Sequence, residues 1–214
     1  MNRKMIIAFT GTDGSGKSTV IDRITPWLEQ MNQSGVHYEH LRPNWLPPLS
    51  RYSGASNIEA TQQVQSPHEK TPSGLLGSLF RLCYYFLDYL FGYWAKIRPI
   101  ASKGGKICLF DRYYHDIVID PRRLRISLPN QLISLLFSVV PSPDLIICLG
   151  ADPELIYARK PETSLEEVRR QVESLKQLSL REGKAAWVDT GQSIEDTLAQ
   201  VVGAIKDSMQ MKNK

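Results

Sequence analysis

Apolar and polar positions alternate in a way that divides the chain into short buried runs and longer amphipathic stretches. Ile6 to Thr10 is an apolar run ending in Gly11, the pattern of a buried strand. Ser18 to Met31 sets Val20, Ile21, Ile24, Leu28 and Met31 at helical spacing, with Gly35 beyond as a stop signal. Val36 to Leu41 predicts a second strand, closed by Arg42-Pro43. A long polar connection follows from Asn44 to Gly74, and such loops often carry function. Leu75 to Ile97 is helical by period and apolar on more than one face, which predicts a mostly buried helix. Ile107 to Phe110 predicts a third strand, ending on Asp111-Arg112, and Arg122 to Leu128 a basic loop. Helices are predicted over Pro129 to Val140, Pro153 to Arg159, Leu165 to Arg181 and Ile194 to Met209, with strands at Leu145 to Leu149 and Ala185 to Val188. Strands alternating with helices at this spacing call for an α/β fold, a five-stranded parallel sheet with helices on both faces.

Composition narrows the class. The 214 residues include 26 Lys plus Arg against 22 Asp plus Glu, and 42% are hydrophobic. That is a folded protein able to bury a sizeable core, and no linker divides it, so one domain over 1–214 is expected. A net charge of +4 is too small to imply nucleic acid as a partner. Arg81, Asp88 and Lys96 interrupt the apolar stretch that could otherwise suggest membrane insertion. Cys83, Cys108 and Cys148 form no CxxC pair and leave an odd count, which fits reduced thiols in a cytoplasmic protein. The basic opening Met1 to Lys4 is followed by too short an apolar run for a secretory signal.

The sharpest chemistry lies at Gly11-Thr12-Asp13-Gly14-Ser15-Gly16-Lys17-Ser18, a full G-x-x-x-x-G-K-[ST] match between a strand and a helix. The glycines permit a tight turn whose backbone N–H groups converge on phosphate oxygens, and the following helix adds its positive end. Lys17 reaches the outer phosphates and the Ser18 hydroxyl can ligate Mg²⁺. The motif predicts a nucleoside triphosphate site. No N-K-x-D guanine-reading motif accompanies it. Asp111-Arg112 falls at the carboxyl edge of the sheet, where ligands bind. There the Asp can hold Mg²⁺ through water or accept an acceptor proton, and the Arg can grip an anionic acceptor bidentately.

The stretch Phe9 to Thr19 resembles the first motif of thymidylate kinases, and Asp111-Arg112-Tyr113 resembles their second. Leu145 to Leu149 with Asp152-Pro153-Glu154 and Ala158-Arg159 is similar to the segment leading into their lid. Val188-Asp189-Thr190 with Ser193 to Asp196 is similar to their last strand and adenine-side loop. The resemblance implies a three-layer P-loop NTPase fold with a short lid at about 159–170, and ATP and Mg²⁺ as cosubstrates. The implied reaction moves the γ-phosphate of ATP to a small-molecule acceptor, a nucleoside monophosphate such as dTMP leading. A kinase of a sugar or other hydroxyl metabolite, and a catalytically silent ATP-binding regulator, are the alternatives. On this reading Lys17, Asp111, Arg112 and Arg159 are catalytic. Gly11, Asp13, Gly14, Ser15, Gly16, Lys17, Ser18 and Thr19 hold the ATP phosphates, while Ser18 and Asp111 hold the metal. Asp13, Arg42, Arg81, Arg112 and His115 face the acceptor. A homodimer stands open beside the monomer. The chain departs from the family at Thr10, where an acid is usual, at Arg42-Pro43-Asn44, at Tyr114 to Val118 and in the shortened lid Arg159 to Thr163, which leaves the acceptor's identity open.

Other residues have plainer readings. Phe80, Tyr84, Leu87, Phe91 and Trp94 form one helical stripe, read first as core and second as rings for stacking on an acceptor. Arg169 and Arg170 read as a solvated face paired with Glu166, Glu167 and Glu173, or as lid cations. Arg122, Arg123 and Arg125 read as solvated surface or an anion anchor. His115-Asp116 reads as structural or as a general base for a hydroxyl acceptor, and His37 and His40 fall on opposite strand faces, against a metal site.

Overall fold

Strict period-two alternation in the strands builds the protein's two main cores. The computed structural model describes residues 5–49 and 74–211; most of the polar connection between Asn44 and Gly74 lies outside them. Strands β1 (Met5–Gly11), β2 (Val36–His40), β3 (Ile107–Asp111), β4 (Leu145–Gly150) and β5 (Ala185–Asp189) form one all-parallel sheet in the order β2-β3-β1-β4-β5. In β1, Met5, Ile7 and Phe9 point to one face, where they meet α1 (Lys17–Met31) and α8 (Ile194–Met211) through Ile21, Ile24, Leu28, Val201 and Ile205. Ile6 and Ala8 point to the other, against α2 (Leu75–Gly92), α4 (Tyr114–Ile119) and α5 (Asn130–Phe137) through Leu82, Tyr89, Ile117, Ile133 and Phe137. β3 repeats the division, with Ile107 and Leu109 on the first face and Cys108 and Phe110 on the second. The pair α6 (Pro153–Arg159) and α7 (Leu165–Arg181) adds smaller clusters beside β4 and β5. Each fully buried Ile, Leu or Phe is worth about 1.5–3 kcal/mol, so the sheet's central strands are its anchor.

Element types follow the pattern with small shifts at the ends. The stretch expected as one helix to Ile97 is α2 followed by a π-helical turn at Tyr93–Ile97 and then α3 (Arg98–Ser102). Its burial differs from the expectation. Leu82 and Tyr89 are buried, but Phe80, Leu87, Phe91 and Trp94 are exposed, along with Leu75, Leu76 and Leu79. The stripe taken as core therefore lies mainly outside it, because α2 is apolar on two sides and only one can face the sheet. α4 was not anticipated, and the basic loop begins as a tight turn at Pro121–Leu124. The segment 159–170 comprises the end of α6, a short link and the first turn of α7. No helix among the described residues is long and apolar enough to cross a membrane.

Cys83 is exposed, whereas Cys108 and Cys148 are free and buried, with burial pushing both thiols up to about 12. They behave as small apolar groups, inert as thiolates at neutral pH.

Candidate functional site

The carboxyl ends of β1 and β3 converge on the Gly-rich loop. Gly14 and Gly16 take φ of 84° and 77°, which no side-chain-bearing residue adopts without strain, and Gly16 caps α1 with no side-chain hydrogen bond. The first N–H groups of α1 thus remain directed at the loop. Space also dictates glycine: a Cβ at Gly11 would lie 2.5 Å from Ser15 Oγ, and one at Gly14 would lie 2.8 Å from the Ile156 carbonyl oxygen. The end of α6 therefore sits directly over the loop.

Lys17 is 7% exposed, and its Nζ stands 3.6 Å from Asp111 Oδ1. Desolvation, with Arg112 nearby, lowers the Lys17 pKa, while Asp111, Asp116 and Asp13 oppose that change. Asp111 gathers more partners at its other oxygen. Its Oδ2 accepts from Tyr38 Oη at 3.3 Å and meets His40 Nδ1 at 3.3 Å, since β2 pairs with β3 in a register that sets His40 beside Asp111. Burial alone would raise the Asp111 carboxyl; the His40 contact, Lys17 and Arg112 hold it at about 2.

Arg112 adopts φ of 75°, and its N–H donates to the Phe9 carbonyl at 2.8 Å. Its guanidinium donates to Asp13 Oδ1 at 2.7 Å, Asp116 Oδ1 at 2.8 Å and the Gly11 carbonyl at 3.1 Å. Arg123 closes the other side of Asp13, with Nη1 donating to Oδ2 at 2.6 Å. Burial would raise the Asp13 pKa, but Arg112 and Arg123 hold it at about 2. Around this cluster Thr10 Oγ1, Thr12 Oγ1, Ser15 Oγ and Asp111 Oδ1 are buried without hydrogen-bond partners among the described residues. Buried polar groups are nearly always paired, so four orphans around one loop fit a ligand with oxygen-rich, charged chemistry. Asp111 Oδ1, in ion-pair reach of Lys17 but without a hydrogen bond, also fits a hydrated Mg²⁺ beside the loop.

The remaining expected residues are distributed around this centre. Arg159 Nη2 donates to the Thr190 carbonyl at 3.0 Å, joining α6 to the turn after β5. Lys160, adjacent to Gly14, pairs with Glu162. Arg169 pairs with Glu154, and Arg170 with Glu167. Arg42 lies at the end of β2, where it donates to Asp88 Oδ2 at 2.9 Å and to the Leu46 carbonyl at 3.0 Å. Neither Arg42 nor Arg112 therefore stands as an uncommitted clamp. Arg81 is half-buried on α2. His115 stacks on Tyr114 with ring centroids 4.1 Å apart, and its Nε2 lies 3.5 Å from Glu182. It lines a cavity among α4, α5 and α7 that includes Ser142 and Glu182 but no residue of the phosphate loop. That placement counts against the acceptor role expected of it.

Tyr38 and His40 were not singled out in the sequence as site residues, and Arg123 was read only as solvated surface or an anion anchor. The signal for Arg123 is Asp120-Pro121, a cap and a rigid first position that order the turn carrying it. Tyr38 and His40 are two apart on a strand, hence on one face, but only the β2–β3 pairing brings them to Asp111.

Fold and loop together define a P-loop α/β protein, with a three-layer parallel sheet and its phosphate cradle between β1 and α1. No protein-family model matches the chain. It is 28% identical over 227 residues to a thymidylate kinase of Nitratidesulfovibrio vulgaris (strain DP4), covering 94% of this chain and 92% of that protein. It is 25% identical over 222 residues to the uncharacterized ATP-binding protein YghS of Escherichia coli (strain K12), with the same coverages. Solved thymidylate kinases from Candida albicans and Ehrlichia chaffeensis share the fold, with TM-scores of 0.67 and 0.61 at 17% and 16% identity. Those superpositions cover 97% and 95% of this chain, and 94% and 99% of the solved chains. The chain is thus similar to thymidylate kinases in sequence over nearly its whole length, and shares their fold.

Proposed function

We propose that the chain is an ATP-dependent kinase that transfers the γ-phosphoryl group to a nucleoside monophosphate, with dTMP the first acceptor to test. The observation that supports this best is the joined cluster of Lys17, Asp111, Arg112 and Asp13, in which the phosphate loop and the end of β3 share ion pairs. A triphosphate binding the loop would exchange the Asp111 contact of Lys17 for phosphate oxygens. An acceptor phosphate oxygen then attacks the γ-phosphorus as its bond to the β–γ bridging oxygen breaks, and that electron pair leaves with ADP. A phosphate acceptor is already deprotonated at neutral pH, so the transfer needs no general base, which agrees with His115 lining a cavity that holds no residue of the loop. Catalysis then rests on positioning and charge stabilisation. Ser18 and Asp111 would hold Mg²⁺, which neutralises phosphate charge when bound. Lys160 lies against Gly14 of the loop, while Arg159 is bonded to the Thr190 carbonyl and would have to leave it to reach a phosphate.

Coupled ADP release with a panel of nucleoside monophosphates tests the reading. MgATP alone should turn over slowly, the correct acceptor should raise turnover strongly, and Lys17→Ala should lower it by at least ~10²-fold. A panel in which no monophosphate stimulates turnover, despite tight ATP binding, would refute it.

A further inference from the structure

Phosphoryl transfer spreads negative charge over the outer phosphate, and a cation must meet it. The described cations of the lid region are directed elsewhere: Arg159 to the Thr190 carbonyl, Lys160 to Glu162, Arg169 to Glu154 and Arg170 to Glu167. Arg123 is directed at the loop. Its carrier turn is well fixed: the Asp120 carboxylate accepts from the Arg123 N–H at 3.3 Å, and the Ile126 N–H donates to the Pro121 carbonyl at 3.0 Å. Leu124 and Ile126 are buried beneath it.

Two arginines grip Asp13, but they are not equivalent. The Arg112 side chain is 6% exposed and has three partners, so it has no spare reach. The Arg123 side chain is 22% exposed, and Asp13 is the one side-chain partner its guanidinium has among the described residues. A guanidinium carries five donors in a fixed fork, so most of those on Arg123 remain available at the loop's mouth. Asp13 is also electrostatically coupled to Lys17, whose ammonium marks the outer-phosphate end of the cradle.

We propose that Arg123 is a catalytic residue that contacts the terminal phosphate of a bound nucleoside triphosphate, held ready for it by Asp13. The inference deepens the kinase reading and rests on it for its rate effect. A triphosphate brings charge that competes with the Asp13 carboxylate for the fork. A diphosphate, lacking the terminal group, leaves Arg123 on Asp13.

Calorimetric titration of the full chain with MgATP and with MgADP tests this, using the parent, Arg123→Ala and Arg123→Lys, with melting curves confirming that each variant is folded. Arg123→Ala should weaken MgATP about 10-fold and leave MgADP within about twofold, a loss of discrimination that a purely structural role would not produce. Arg123→Lys should restore part of the difference, because it keeps the charge without the fork. Single-turnover transfer to whichever acceptor the parent uses should fall by ~10²-fold or more in Arg123→Ala. Equal weakening of MgATP and MgADP, or of neither, would overturn the assignment. A parent that transfers to no acceptor would sink the kinase reading, and the MgATP-to-MgADP ratio would still decide the role of Arg123.

Discussion

Asp88 is fully buried on α2 and holds the segment after β2 in place. It accepts from Arg42 Nη1 at 2.9 Å and from the Leu46 N–H at 2.5 Å, while Arg42 is itself 8% exposed. Asp88→Ala removes the carboxylate and leaves a guanidinium in a place water barely reaches. Breaking a buried pair from one side costs about 3–5 kcal/mol, most of it the penalty for the stranded charge. For a chain of this size about 1 kcal/mol shifts the melting temperature by about 2–4 °C, so a drop of roughly 6–20 °C is expected. Asp88→Asn keeps an oxygen that can still accept from Leu46 and should lose about half as much. Arg42→Met combined with Asp88→Leu removes both charges together and should recover most of the loss, since well-packed apolar replacements are often neutral. Urea unfolding of the parent, Arg42→Met, Asp88→Leu and the double variant gives a double-mutant cycle. An Asp88→Ala protein within about 1 kcal/mol of the parent would refute the reasoning, as would a double variant no more stable than that single one.

Other outcomes follow from the same interactions. Asp13 is held at about 2 against an ordinary 3.8, so its ion pairs contribute about 2 kcal/mol above pH 4, an amount lost as the pH falls from about 4 toward 2. Asp13→Asn should therefore lower stability at pH 7 and flatten that acid limb, and an unchanged acid limb in a pH series of urea midpoints would contradict the pairing. Gly150→Ala should destabilise by about 1–3 kcal/mol, because its Cβ would lie 2.2 Å from the Trp187 ring; an unchanged urea midpoint would show that the indole moves aside freely.

The parts of the site legible in the sequence are those written contiguously. The loop from Gly11 to Ser18 and the pair Asp111-Arg112 carry their geometry locally: a turn, a helix start and a strand end. Contacts between distant segments are not legible. Arg123 reaches Asp13 across 110 positions and Arg42 reaches Asp88 across 46, and no spacing rule connects either pair. His40 needed the knowledge that β2 lies beside β3, although β3 comes after an intervening helix. The strands themselves were readable to within a residue, because nearly every position of β1, β3 and β4 is apolar and buried. α2 misled for a related reason. Its period announces a helix, but with Leu82 and Tyr89 on one side and Phe80, Leu87 and Phe91 on another, hydropathy alone does not say which side meets the sheet.

Charge balance explains why so many carboxylates surround a site read as a phosphate site. Lys17, Arg112 and Arg123 face Asp111, Asp116 and Asp13, three cations against three anions, each within ion-pair reach of a partner. Buried cations without counter-charges would be costly, and Arg112 also carries left-handed backbone strain of about 1–3 kcal/mol. The carboxylates offset those costs and fix where the cations stand before any ligand arrives. Arg112, with Asp116 four residues on, remains paired whatever happens at Asp13. Among the described residues Lys17 and Arg123 each have one ion-pair partner, at 3.6 Å in one case and on a partly exposed side chain in the other. A polyphosphate would therefore draw on those two cations first and leave Arg112 as the fixed post of the site. The division follows from burial and partner count, and on the proposed kinase reading Lys17 and Arg123 would meet the donor nucleotide while Arg112 holds the frame.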